Sequence, residues 1–296
     1  MFKKVLLALS FALTSLGAQA TISACVIGVD TSAVFGEASF GALNPLALPG
    51  GATTTSFTYF GECNRSSNLD PQRVQFRIIF GSMSANPGLT VGATYSSALL
   101  TLDWNRNERT TKRTTATATF TLNGMTATTA PGLRTFTQLT TTQLRTCPDN
   151  SNFGCSGYGT ARLEDVHVYL NVLKSCSIAP ATLNFGNVVP DMSNSTDATS
   201  NAGVACTNTT PYTVAFSGGT AAPLGLRNMV RSGGSDTLTY QVYSNPARTT
   251  ALVGATTLAA TGTGASQSFS LYGRVFPAQY PPAGSYADAL TMTITY

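Results

Sequence analysis

The chain has 296 residues, 43% of them hydrophobic and only 10% charged, enough apolar mass for one or two ordinary cores and too much for disorder by composition. Thr, Ser, Gly and Val crowd it while Lys and Glu are scarce, a bias toward strands and turns and away from helices. A formal net charge of +4 is too weak a surplus to argue for nucleic acid or an anionic membrane as partner.

Met1 to Ala20 reads as a secretory signal: Lys3 and Lys4 form the basic start, Val5 to Leu16 the apolar stretch, and Ala18-Gln19-Ala20 the small-residue cleavage site. The apolar stretch has 12 residues, too short to span a bilayer. Cleavage after Ala20 takes Lys3 and Lys4 from the 17 basic residues and leaves 15 against 13 acidic ones. Ile22-Ser23-Ala24-Cys25 also suits a lipoprotein cleavage site with Cys25 lipidated, although that box lies several residues beyond the apolar stretch.

Short alternating runs follow, separated by Gly, Pro and Asn: Val74 to Phe80, Ala116 to Leu122, Tyr212 to Phe216, Leu238 to Tyr243 and Phe269 to Val275. Such punctuation predicts antiparallel sandwiches rather than a parallel sheet with crossover helices. Between the strands of the first half, Leu43 to Gly50 is a Pro/Gly-bounded apolar segment, Met83 and Leu89 flank Asn86-Pro87-Gly88, and Leu122-Asn123-Gly124-Met125 has the Asn-Gly signature of a hairpin tip. Arg106, Arg109, Lys112 and Arg113, interrupted by Glu108, read as another solvated hairpin tip.

The two halves open alike. Cys25 is followed by Phe35-Gly36 and then Cys63; Cys176 is followed by Phe185-Gly186 and then Cys206. Both also close on a Tyr/Gly-rich turn before an alternating strand, Gly157-Tyr158-Gly159 ahead of Val166 to Val172 and Gly284-Ser285-Tyr286 ahead of Leu290 to Tyr296. A duplicated all-β module is the expectation, with the signal at 1–20, a first domain at 21–174 and a second at 175–296. Six cysteines in an exported chain imply disulfides. The simplest pairing is Cys25–Cys63 and Cys176–Cys206 within the copies, with Cys147–Cys155 stapling a small loop. A zinc site needs closer pairs and histidines, and His167, the one histidine, lies mid-strand, so no metal or other cofactor is expected.

The last run, Leu290 to Tyr296, alternates up to its final residue, with Leu290, Met292, Ile294 and Tyr296 on one side and threonines on the other. An apolar edge without charge, proline or cover recruits a further strand, so these four residues are the expected edge for accepting one.

Residues Cys176 to Tyr296 resemble the spore coat protein U domain of archaic, Csu-type chaperone–usher pilins. The likeness is carried by Cys176-x8-Phe185-Gly186, Cys206-Thr207-Asn208-x2-Pro211-Tyr212, Leu238-x-Tyr240-Gln241-x-Tyr243, Tyr272-Gly273-Arg274 and Pro282-Ala283-Gly284-Ser285-Tyr286. The resemblance implies two immunoglobulin-like sandwiches in tandem, the C-terminal one lacking its last strand. That gap is filled first by a periplasmic pilus chaperone and then, at the outer-membrane usher, by the N-terminal donor strand of the adjacent pilin. Only Thr21 to Ala24 precede Cys25 in the predicted mature chain, a span of at most ~14 Å with Ile22 as a single apolar anchor, so the expectation is a subunit that receives a strand and gives none. Two-domain members of the resembled systems are tip adhesins, which implies export through the periplasm to the pilus tip at the cell surface.

Resembled adhesins meet hydrophobic abiotic surfaces through clustered apolar loops, and by that analogy Leu46, Leu48, Met83, Leu89 and Met125 are the candidate surface contacts, for a hydrophobic or host surface in biofilm attachment. A carbohydrate-binding lectin using Trp104 with Tyr59, Tyr95 or Tyr158 is the alternative, as is a coat or matrix protein that assembles without a pilus. Catalysis is not expected: no HExxH occurs, and Gly154-Cys155-Ser156-Gly157-Tyr158 misses the G-x-S-x-G pattern at its last place.

Overall fold

Period-two burial organises the long strands of the folded chain. The computed structural model describes residues 24–29, 36–47, 53–67, 71–188, 193–221, 223–253 and 256–296. The expected signal segment and the Thr21 to Ser23 stub lie outside them. The described residues are all-β, with one short 3-10 turn at Pro223–Gly225 among them. The chain divides into two units, the first ending at residue 171 and the second running from 172, with the short segments 44–49 and 126–132 grouped with the second. Asn44 Nδ2 donates to Ser175 Oγ at 3.0 Å within that second unit.

The first unit contains β1 (Ala24–Val29), β2 (Glu37–Leu43), β3 (Thr53–Asn64), β4 (Arg73–Met83), β5 (Thr90–Tyr95), β6 (Leu99–Asp103), β7 (Thr111–Asn123), β8 (Gly132–Cys147) and β9 (Gly159–Val172). One sheet has the order β1-β3-β7-β5 and the other β2-β9-β8-β4-β6. Alternate residues face inward, Phe57 and Tyr59 on β3, Phe120 on β7 and Phe76 on β4, each fully or nearly buried. Each such side chain contributes about 1.5–3 kcal/mol on burial.

The second unit contains β10 (Cys176–Ala179), β11 (Thr196–Cys206), β12 (Pro211–Gly218), β13 (Thr220–Ala221), β14 (Arg227–Arg231), β15 (Thr237–Tyr243), β16 (Thr257–Thr261), β17 (Ser266–Val275), β18 (Tyr286–Ala287) and β19 (Leu290–Thr295). One sheet runs β10-β11-β17-β15-β14-β13, with β18 on β14; the other is β16-β12-β19. Strands β10-β11-β17-β15 occupy the A-B-E-D positions of an immunoglobulin-like sandwich and β12-β19 the C-F positions.

The expected repeat is present but its last correspondence changes. In the first unit β1-β3-β7-β5 take A-B-E-D and β4-β8 take C-F, so β8, not β9, corresponds to β19. Strand β9 lies beyond β8, in the G position, and completes the first sandwich from its own chain. The likeness of β9 to β19 in sequence reflects shared inward alternation, which any half-buried strand has.

All three disulfides are formed, Cys25–Cys63, Cys147–Cys155 and Cys176–Cys206. The two long-range bonds occupy the same place in their units, joining directly opposed residues of β1 and β3 and of β10 and β11. Lipidation of Cys25 is incompatible with the first of them. Two expected hairpin tips are corrected: Trp104 to Thr110 and Gly124 to Pro131 each carry the chain from one sheet to the other, because their flanking strands lie in different sheets. Buried Arg65 shapes the former, donating to the carbonyls of Asn105, Arg106 and Glu108.

Candidate strand-acceptor site

Strand β19 pairs antiparallel with β12, from Gly218 opposite Leu290 to Thr213 opposite Thr295. Its other edge meets no strand among the described residues. Leu290, Met292 and Ile294 pack against the core of the second unit yet remain half-exposed, and Tyr296 is 55% exposed. Their β12 counterparts Tyr212, Val214 and Phe216 are sealed. The two strands differ in neighbours: among the described residues β12 is flanked by β16 and β19, whereas β19 has β12 alone.

A second wall comes from residues 180–188, which follow β10 and pair with no strand among the described residues. Leu183 and Phe185 lie over Gly273 of β17, so close that a methyl group at Gly273 would meet both side chains. Within this stretch Gly186 takes φ +68, a conformation that costs glycine little. Leu183, Phe185 and Val188 are themselves half-exposed against the same core.

Tyr240 ties the two walls. Its ring meets Phe185 edge-to-face at 6.0 Å, and its hydroxyl donates to Asp288 Oδ2 at 2.7 Å, two residues before Leu290. Burial, then the Asp288 contact, holds the Tyr240 hydroxyl well above the usual tyrosine pKa. Thr220 N donates to the other Asp288 oxygen at 3.0 Å. Nearby Arg227, buried, donates to Gly218 O at 2.6 Å and Leu252 O at 2.9 Å, anchoring the end of β12 at which β19 begins. Among the described residues the site offers a strand edge that meets no further strand, beside an incompletely covered apolar seam.

The expected surface contacts fare differently. Leu89 and Met125 are buried, 1% and 3% exposed, because Gly124 packs directly on Gly88 and brings Met125 over the same end of the sandwich. Met83 is half-exposed at the end of β4, beyond a register shift after Phe80. Leu46 is half-buried in the segment grouped with the second unit, and Leu48 lies outside the described residues. Exposed apolar groups stand elsewhere in the first unit, notably Phe153 at 85% in the loop closed by Cys147–Cys155.

The Trp104 sugar platform is likewise corrected. Trp104 and Tyr59 are core residues, each 1% exposed, the indole N–H donating to Thr110 O at 2.9 Å and the Tyr59 hydroxyl to Ser97 O. Tyr95 stacks on Phe80 and donates to Gln138 Oε1 at 2.5 Å. His167 Nδ1 lies 3.3 Å from Thr137 Oγ1, and Ser156 Oγ accepts from Thr146 N, so both serve local strand contacts. Sequence reasoning missed the wall at Leu183 and Phe185; Phe185-Gly186 marked the place, but nothing local revealed that no strand would pair with it.

Residues 163–293 match the family model of the Spore Coat Protein U domain. This stretch is similar to the spore coat protein U domain. It begins within β9 and takes in residues 180–188 and β19 as far as residue 293. Among solved structures, the chain resembles one from the CsuC–CsuE chaperone–tip adhesion subunit pre-assembly complex of Acinetobacter baumannii, at 16% identity and TM-score 0.50, over 92% of this chain and 100% of that one. It also resembles the CupB6 tip adhesin of Pseudomonas aeruginosa (12% identity, TM-score 0.38, 92% and 94% coverage). A third is CfaE, the adhesive subunit of CFA/I fimbria of enterotoxigenic Escherichia coli (9% identity, TM-score 0.34, 84% and 74% coverage). The first of these likenesses supports the two-sandwich fold beyond the matched stretch itself. Among curated proteins no sequence matches.

Proposed function

We propose that this chain is the adhesive tip subunit of an archaic chaperone–usher pilus, whose spore coat protein U domain accepts a donor strand from the next subunit while the first unit meets a surface in biofilm attachment. The observation that carries this reading is the half-exposure of Leu290, Met292 and Ile294 beside sealed Tyr212, Val214 and Phe216. A donor strand laid along β19 would pair its backbone and cover that seam with alternate apolar side chains. About four of them contribute roughly 6–12 kcal/mol gross, before ordering costs. A periplasmic chaperone fills the seam before the outer-membrane usher exchanges it for the donor.

The first unit supports the tip assignment by needing no donor: β9 already occupies its G position. It lies ahead of all but the start of the family match, which suits it to contact with a surface. Mixing the purified chain with a peptide of alternating Val, Leu and Ile, patterned as a shaft-subunit donor, tests both parts by native mass spectrometry. One adduct per chain is expected. Absence of an adduct overturns strand acceptance, and polymers grown from this chain alone overturn the tip position.

A further inference from the structure

The outer face of the sheet β2-β9-β8-β4-β6 carries a cluster that strand acceptance does not use. Outward residues of three adjacent strands meet there in register: Arg77 lies between Leu99 and Gln143, Ile79 faces Thr141, and Gln75 lies between Thr101 and Arg145. The guanidinium carbons of Arg77 and Arg145 stand 5.6 and 4.6 Å from the centroid of the Tyr158 ring. Gln75, 4% exposed, fixes Arg145 by accepting from its Nε at 2.6 Å and is itself held to Thr101 Oγ1 at 3.3 Å. Among the described residues no carboxylate pairs with Arg77 or Arg145. Beside them Ile79 and Leu99 are 41% and 42% exposed and, with Ala98 and Tyr158, line a shallow depression of about 350 Å³.

We propose that this face binds an acidic glycan, a polymer of pyranose units bearing carboxylates. Guanidinium groups pair with carboxylates in two parallel hydrogen bonds, and here two of them are preplaced with no carboxylate partner among the described residues. Ile79 and Leu99 suit the C–H face of a sugar ring, while Thr101, Thr141 and Gln143 offer neutral donors and acceptors for hydroxyls. Tyr158 acts as the spacer that positions the guanidinium groups, not as a stacking platform of its own. An open sheet face suits a polymer that lies across it, and a compact phosphate alone would leave the apolar groups unused.

Biolayer interferometry of the full-length mature chain, complemented with a donor peptide, against immobilised polygalacturonate, dextran and polyphosphate tests this. Binding to polygalacturonate is expected, with dextran silent and polyphosphate at least tenfold weaker. R77Q/R145Q should lower affinity for polygalacturonate at least tenfold. R106Q/K174Q, which removes the same charge at exposed sites elsewhere, should leave it unchanged. If R77Q/R145Q fails to fold, L99T on the same face should weaken binding severalfold while keeping a native circular-dichroism spectrum. Unchanged binding by R77Q/R145Q, or by L99T where that stands in for it, or equal binding of dextran or polyphosphate, overturns the proposal. A chain that takes no donor peptide but binds polygalacturonate in this pattern refutes strand acceptance and leaves the glycan site standing.

Discussion

Val214 and Ile294 lie directly opposite each other on β12 and β19, yet Val214 is completely buried and Ile294 is half-exposed. Two aliphatic side chains on one sheet face, in register, should be covered alike. The difference marks the edge of β19 that no strand covers among the described residues. Replacing Met292 and Ile294 with Thr should leave the β12 pairing intact and weaken the donor-strand complex by about 1.5–3 kcal/mol per site, a dissociation rate roughly 10- to 100-fold faster for each. Competition between labelled and unlabelled donor peptide measures that rate.

Removing Cys176–Cys206 should cost about 3–4 kcal/mol in the chain-entropy model. That bond closes 30 residues of separation and pins β10 at the edge of its sheet, with the segment through Leu183 and Phe185 following it. C176S/C206S is therefore expected to lower the thermal midpoint of the second unit and to slow donor uptake. Removing Cys147–Cys155, which closes a separation of 8, should cost less and leave donor uptake unchanged.

Acid should loosen the second unit through Asp197. Opposite Arg274 on β17, it accepts from Arg274 Nε and Nη2 at 2.7 and 2.8 Å and lies 3.3 Å from Arg248 Nη1. The Arg274 hydrogen bonds, chiefly, hold its carboxyl below the ordinary value of 3.8. A depressed folded pKa means the contribution is fully present above 3.8 and is lost as pH falls through the folded value. Denaturant titrations should show a steeper acid decline in the wild type than in D197N.

Alkali acts on the first unit with the opposite sense. Burial, with the nearby Tyr95 adding to it, pushes the Tyr59 hydroxyl up to about 12, and burial does the same to Tyr95. The unfolded chain ionises these tyrosines near 10, so between 10 and about 12 it binds fewer protons than the folded chain and stability falls as pH rises. The slope for Tyr59 is at most about 1.4 kcal/mol per pH unit. Y59F should flatten it, read from circular dichroism as pH is raised.

Much of the fold was legible because its signals are local. The alternation of Leu238 to Tyr243 and Phe269 to Val275 became β15 and β17, and the Cys and Phe-Gly spacing placed equivalent disulfides in both units. The edge at Leu290 to Ile294 was legible for the same reason. Partnership between distant strands was not: β9 and β19 alternate alike, and only the sheet order shows that one fills a G position and the other leaves its neighbour's place open. Exposure was the least legible. Leu89 and Met125 stand next to glycines in apparent turns, and Trp104 stands alone among aromatics, yet cross-sheet connections fold all three inward.

Hydrogen–deuterium exchange along β19, with and without donor peptide, bears most directly on the unfinished sandwich. Amides of Leu290 to Thr295 that face away from β12 should exchange rapidly in the free chain and become strongly protected on peptide addition, with β9 unchanged throughout. Finding those β19 amides already protected in the free chain, and unaltered by peptide, would contradict the account.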